Sequence, residues 1–89
     1  MVKLAKLIEK FLRDPPEISY NDVYYLLTKF GFQEVSSKGS HHTFRNEIGQ
    51  KITIPKKGGK TVKRIYLKQI VALLNLEDLE DIEELPDEN

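Results

Sequence analysis

This chain of 89 residues predicts an α+β fold, a three-stranded antiparallel sheet with helices packed on one face. Three observations carry that reading. Towards both ends, apolar residues recur three and four positions apart, the period of a helix with one buried face. In the middle, short runs alternate apolar and polar residues, the period of a half-buried strand. With 39% hydrophobic and 31% charged residues, the chain can fill one small core and still be covered by charge.

The elements follow in order. Val2 to Arg13 reads as a helix on the stripe Leu4, Leu7, Ile8, Phe11 and Leu12. Asp14-Pro15-Pro16 ends it, because proline lacks an N–H and disfavours helix in the residue before it. Ser19 is a good N-cap for a second helix, and Asp22 three residues on makes a weak capping box. Val23, Leu26, Leu27 and Phe30 form its apolar face, and Gly31 stands where a helix C-terminal glycine belongs. Tyr20, Tyr24 and Tyr25 read as packing and rim residues rather than a base-stacking platform. Phe32 to Ser37, His41 to Arg45 and Lys51 to Pro55 read as strands, with 46–50 as a hairpin loop and 56–60 as a basic glycine loop. A third helix spans about Lys63 to Asn75 and buries Ile65, Leu67, Ile70, Val71 and Leu74 to varying degrees. Leu76, Leu79, Ile82 and Leu85 allow a last acidic turn or two of helix; the charge of the tail equally allows no regular structure. No repeat or linker divides the chain, so we expect one domain over 1–89. Its core is 19–76, with an N-terminal helix at 2–13 and an acidic tail at 77–89.

Several function classes drop out. No apolar run approaches the roughly 20 residues that cross a bilayer, and the lysine-bearing start has no apolar stretch typical of a secretory leader. With no cysteine there is no disulfide and no thiolate metal site, which fits a reducing compartment and a cytoplasmic protein. Glycines 58 and 59 lack the spacing and the Lys-Ser/Thr end of a phosphate-binding loop. No Ser-His-Asp set can be nominated.

A net charge of zero hides an asymmetry. Residues 1–76 carry 14 bases against six acids, and the last 13 residues carry eight acids and no base. From Lys38 to Lys68 there are nine bases and one acid. Such a block is a footprint for a polyanion, nucleic acid above all, or else a solvated face offset by the tail.

The segment Lys38-Gly39-Ser40-His41-His42-Thr43-Phe44 holds both histidines at the head of this basic block. Histidine, with an unperturbed pKa of about 6.5, moves protons near neutrality. Strand alternation puts Phe44 and His42 towards the helices and His41, Thr43 and Arg45 on the opposite face. Lys51 and Thr53 join that open face, with Ile52 and Ile54 behind it. An imidazole among cations and hydroxyls suits a phosphodiester. The same phase sends His41 and His42 opposite ways, so they do not share a metal ion, and no cofactor is expected. Left to the residues alone, His41 is either this proton-transfer group or an exposed strand histidine without a role. His42 reads as a partly buried residue that orients its strand.

Gly31-Phe32, then Lys38-Gly39-Ser40-His41-His42-Thr43-Phe44-Arg45, then Thr53-Ile54-Pro55, then Gly59-Lys60 and a closing helix resemble the HicA toxin family over about Ser19 to Leu76. The resemblance implies an α-β-β-β-α fold like a double-stranded-RNA-binding domain, here with an extra N-terminal helix. It implies the toxin component of a type II toxin–antitoxin system, an mRNA-cleaving ribonuclease whose catalytic histidine follows Gly-Ser, which is His41. It also implies a HicB-like antitoxin that covers this histidine. A metal-independent attack by the RNA 2′-hydroxyl is the mechanism to expect. Lys38, Arg45, Lys51, Lys56, Lys57 and Lys60 are the candidate RNA-binding residues, with Gly39, Ser40 and His42 in support. Family members often carry a histidine after the third strand, where this chain has Lys56 and Lys57. The acidic tail either lies over the basic face as a phosphate mimic or serves solubility. The competing readings are a non-catalytic RNA-binding module and an inactive toxin relative that binds a HicB-like partner.

Overall fold

The computed structural model describes residues 4–56, 58 and 60–79. Expectations for the tail from residue 80 onward, for Val2 at the start of the first helix, and for Lys57 and Gly59 lie outside these residues. The elements run α1 (Leu4–Leu12), β1 (Glu17–Ser19), α2 (Tyr20–Lys29), β2 (Gln33–Lys38), β3 (His41–Arg45), β4 (Lys51–Pro55), β5 (Thr61–Lys63) and α3 (Arg64–Leu74), then a 3₁₀ turn at Leu76–Asp78. α2, the sheet strands β2-β3-β4 and α3 follow the expected α-β-β-β-α order, with the short β5 inserted before α3. β2, β3 and β4 form an antiparallel sheet in sequence order.

The helix ends follow from single residues. The Ser19 hydroxyl accepts from the Asp22 amide at 3.2 Å and caps α2. At the other end Gly31, at φ +92°, lets the chain turn back on itself. The Gly31 amide donates to the Thr28 carbonyl and the Phe32 amide to that of Leu27. This is the Schellman pairing, and Phe32 and Leu27 are both buried in the core. Phe32 therefore closes the helix into the core, and the strand begins one residue later than its apolar character suggests.

Two further corrections concern β1, β5 and α3. β1 and β5 pair as a separate two-stranded antiparallel sheet, with Ile18 opposite Val62 and both buried. Strands of three residues are too short to show a period, so only their pairing reveals them. Lys63 consequently ends β5 and caps α3 instead of lying in it. Ile65, expected to be buried, is 62% exposed. At about 100° per residue it lies roughly 200° around the helix from Leu67, away from the buried Leu67 and Ile70.

The core is one cluster. Leu7, Ile8 and Phe11 of α1 lie in it with Val23 and Leu27 of α2, Phe44 and Ile54 of the sheet, and Ile70 of α3. α1 is thus built into the core rather than appended to it. We expect Ile8→Ala, at a fully buried position, to cost about 2–5 kcal/mol in chemical denaturation. A loss below about 1 kcal/mol would show that α1 is peripheral to the fold.

Candidate active site

The site begins with a turn. Gly39 and Ser40 alone connect β2 to β3, with Lys38 and His41 directly opposite each other. Gly39 has φ +59°, the conformation needed at the first position of a type II′ turn, and an L side chain there would be strained. The glycine sets the register that brings Lys38 beside His41. The Ser40 carbonyl accepts the Lys56 amide at 2.7 Å, so the turn is tied to the end of β4.

Pairing arranges the open face in three rows. Lys38, His41 and Pro55 form the first; Ser36, Thr43 and Thr53 the second; Gln33, Arg45 and Lys51 the third. Thr43 and Thr53 join their hydroxyls at 3.0 Å. His41 is exposed at one end and Arg45 and Lys51 at the other, two residues per row and so about 13 Å away along the strand. His41, Thr43, Arg45, Lys51 and Thr53 are therefore where strand alternation predicts them.

No row contains a carboxylate. Lys38, Arg45 and Lys51 form no ion pair with any described carboxylate, whereas Lys63, Arg64 and Lys68 pair with Glu17 or Asp14. Arg45 stands directly opposite Lys51. Like charges in that relation destabilise a sheet, and a bound anion would relieve the repulsion. Of the other predicted cations, Lys60 is exposed in the loop and Lys57 lies outside the described residues. Lys56 is half-buried, with its ammonium 4.3 Å from the Tyr20 ring centroid, so it faces the α2 side and not the open rows.

Behind the sheet is an arrangement that the sequence did not disclose. His42 is only 8% exposed. Its Nδ1 lies 2.6 Å from Oε2 of Glu34, and a carboxylate can only accept, so Nδ1 carries the proton. Oε1 of the same carboxylate accepts the Tyr20 hydroxyl at 3.2 Å. The Tyr20 and His42 rings lie 4.7 Å apart. Burial, then the Glu34 charge and hydrogen bond, push the Tyr20 hydroxyl well above its ordinary value of 10.0 and keep it a donor. Glu34 was not singled out from sequence, and Tyr20 was read only as a packing or rim residue. Neither lies in a motif, and the packing that joins them spans 14 positions. A groove between α1 and α3, lined by Phe11, Leu12, Pro15 and Leu67 among others, contains none of the predicted site residues.

In a small α+β protein, a cation-lined sheet face with no carboxylate in its rows among the described residues is the electrostatic footprint expected of a polyanion-binding class. A scan against protein families matches the family described as HicA toxin of bacterial toxin–antitoxin over residues 20–80. The chain belongs to that family. Membership makes it the toxin of such a pair and implies an RNA target and an antitoxin partner. The match leaves out α1. Searches of curated proteins and of solved structures found no match. Among the described residues, no helix is long and apolar enough to cross a membrane.

The raised Tyr20 value has a sign that can be checked. The folded state keeps this proton at a pH where the unfolded chain has lost it. Its contribution is therefore intact below pH 10 and fades as pH rises beyond that. Between about pH 8 and about pH 11, wild type is expected to lose more denaturation free energy than Tyr20→Phe. Equal losses would remove Tyr20 from the alkaline response.

Proposed function

We propose that this chain is an mRNA-cleaving endoribonuclease in which His41 is the catalytic residue and no metal ion takes part. The observation that carries the reading is the open face itself. It sets one exposed imidazole opposite Lys38, with Arg45 and Lys51 farther along and, among the described residues, no carboxylate in the same rows. A donor set of one imidazole and hydroxyls is poor for a cation, and it suits an anionic phosphodiester. Among the described residues no group of three His, Cys, Asp or Glu side chains could hold a metal ion.

In the proposed reaction, neutral His41 takes the proton of an RNA 2′-hydroxyl. The 2′-oxygen attacks the adjacent phosphorus and the bond to the 5′-oxygen breaks. The products are a 2′,3′-cyclic phosphate and a 5′-hydroxyl whose proton comes from water. Lys38, across the strand pair from His41, offsets charge developing on the phosphate oxygens. Arg45 and Lys51 hold backbone phosphates farther along, Lys60 extends the basic surface, and Lys57 is a further candidate for RNA binding. Gly39 and Ser40 set the turn that presents His41. In the cytoplasm, a HicB-like antitoxin covering this face would silence it. The chain is read as one domain, with α1 sharing its core.

His41→Ala is expected to lower the cleavage rate about 10²–10⁴-fold with the fold intact, measured on a defined RNA by gel. Wild-type cleavage should persist with chelator and stop on RNA lacking the 2′-hydroxyl at the cut. RNA bound by wild type but not cut would make this a binding module or an inactive relative. Cleavage by both proteins would place the nuclease site elsewhere.

Phosphate contacts are expected to show in salt dependence. Arg45→Ala should weaken RNA binding about equally across sequences. It should lower the slope of log affinity against log salt by about one. An unchanged slope would take Arg45 out of the RNA path.

A further inference from the structure

We propose that Glu34 and Tyr20 are positioning residues for the His41 site, and that the bulge at Val35 serves to place Glu34. The proposal rests on the endoribonuclease reading.

The bulge is visible in the pairing. Lys38, Ser37 and Ser36 face His41, His42 and Thr43 in regular register, and the register then shifts by one between Ser36 and Glu34. Carried on without the shift, the pairing would set Val35 opposite Phe44 on the covered face. Glu34 would then stand opposite Arg45 on the open face. The shift reverses both placements. Val35 is left 56% exposed, and Glu34 pairs with Phe44 behind the sheet. A valine has been turned to water and a carboxylate turned inward, against the ordinary preference of both. Bulges that re-aim a side chain in this way occur beside active sites.

Two consequences follow from the one shift. The row containing Arg45 and Lys51 is freed of a carboxylate that would neutralise it. The same carboxylate now receives His42 Nδ1–H and the Tyr20 hydroxyl. His42 is the residue after His41, so fixing its ring fixes the start of β3. Tyr20 extends the brace. Its ring lies against His42 and beneath the Lys56 ammonium, and its amide donates to the Lys60 carbonyl at 2.8 Å. Lys56 in turn holds the Ser40 carbonyl. The turn before His41 and the lysine loop beyond β4 are thus tied to one tyrosine and one carboxylate. His42 Nε2 is buried without a hydrogen-bond partner among the described residues. Facing away from His41, it cannot touch the same substrate atom, so His42 too positions and does not react.

The test compares wild type, Glu34→Gln and Tyr20→Phe, each checked for folding by circular dichroism. Glutamine replaces one of the two accepting oxygens with a donating NH2 group, so it cannot accept from Tyr20 and His42 at both positions the carboxylate uses. A misplacement near 1 Å can cost on the order of 10²-fold. Glu34→Gln is therefore expected to lower kcat by about 10-fold or more on a defined RNA. KM should change by less than about threefold, because Lys38, Arg45 and Lys51 lie on the other face. Tyr20→Phe keeps the ring and loses the hydroxyl, so its loss should be smaller. The two losses should not add in the double variant, because they act through one carboxylate. Two-bond nitrogen–proton NMR spectra give a readout independent of activity. His42 should be the Nδ1–H tautomer in wild type and a mixture in Glu34→Gln. If wild type cuts RNA and Glu34→Gln cuts as fast, or His42 keeps its tautomer without Glu34, the positioning role is overturned and the ribonuclease reading survives. If folded wild type does not cut RNA, both are overturned. Should Glu34→Gln fail to fold, Tyr20→Phe decides: full activity overturns the role, and reduced kcat at unchanged KM supports it.

Discussion

Burial of Phe44 beneath α2 is the constraint on which the rest depends. Its side chain is fully buried, with the rings of Tyr20 and Tyr24 packed against it. Burying a phenylalanine contributes about 1.5–3 kcal/mol, and here it also sets the phase of β3. A slip of one residue would carry His41, Thr43 and Arg45 inward and expose Phe44. Burying an unpaired guanidinium costs far more than the phenylalanine contributes. The register is thus held from both sides, by an apolar group that must be inside and charged groups that must be outside. The exposure of His41 is a consequence of that opposition.

The sheet then separates charge between its two faces. Among the described residues the open face keeps its cations Lys38, Arg45 and Lys51 without an ion-pair partner, an arrangement those residues alone do not favour. The covered face takes in a carboxylate and satisfies it with two donors, which costs less than leaving it bare, since hydrogen bonds to charged groups contribute about 1.5–3 kcal/mol each. The bulge in β2 makes this division possible, because it changes the side of the sheet on which Glu34 lies. A local irregularity of one residue therefore shapes the electrostatics of the whole face.

Parts of the chain far from the basic face also serve it. The two-stranded sheet of β1 and β5 brings the end of the lysine loop back to the start of α2, where the Tyr20 amide donates to the Lys60 carbonyl. α1 lies outside the residues that match the family, yet its buried side chains belong to the same core as Phe44.

Much of this was legible in the sequence, because the patterns are local. The spacing of Leu4, Leu7, Ile8 and Phe11 reports a helix, and Ser19 and Gly31 report helix ends. The alternation through His41–Arg45 and Lys51–Pro55 reports two strands and the face that each side chain takes. The motif around Gly39, Ser40 and His41 pointed to the family, and to His41 as the residue to test. What the sequence could not disclose depends on contacts between distant segments. β1 and β5 are too short to carry a period and exist only as each other's partners. The bulge at Val35 is a property of how two strands pair, and without it alternation puts Glu34 on the wrong face. The brace of Glu34, His42, Tyr20 and Lys56 draws on three elements and the loop after β4, so only tertiary packing could bring it together. By itself the sequence determined the three helices, the three strands of the main sheet, the side of the sheet His41 faces and the sign of the charge around it, because helix and strand period and composition suffice for these. Tertiary structure decided what stands behind His41, because that depends on where a carboxylate from one strand meets a ring from another.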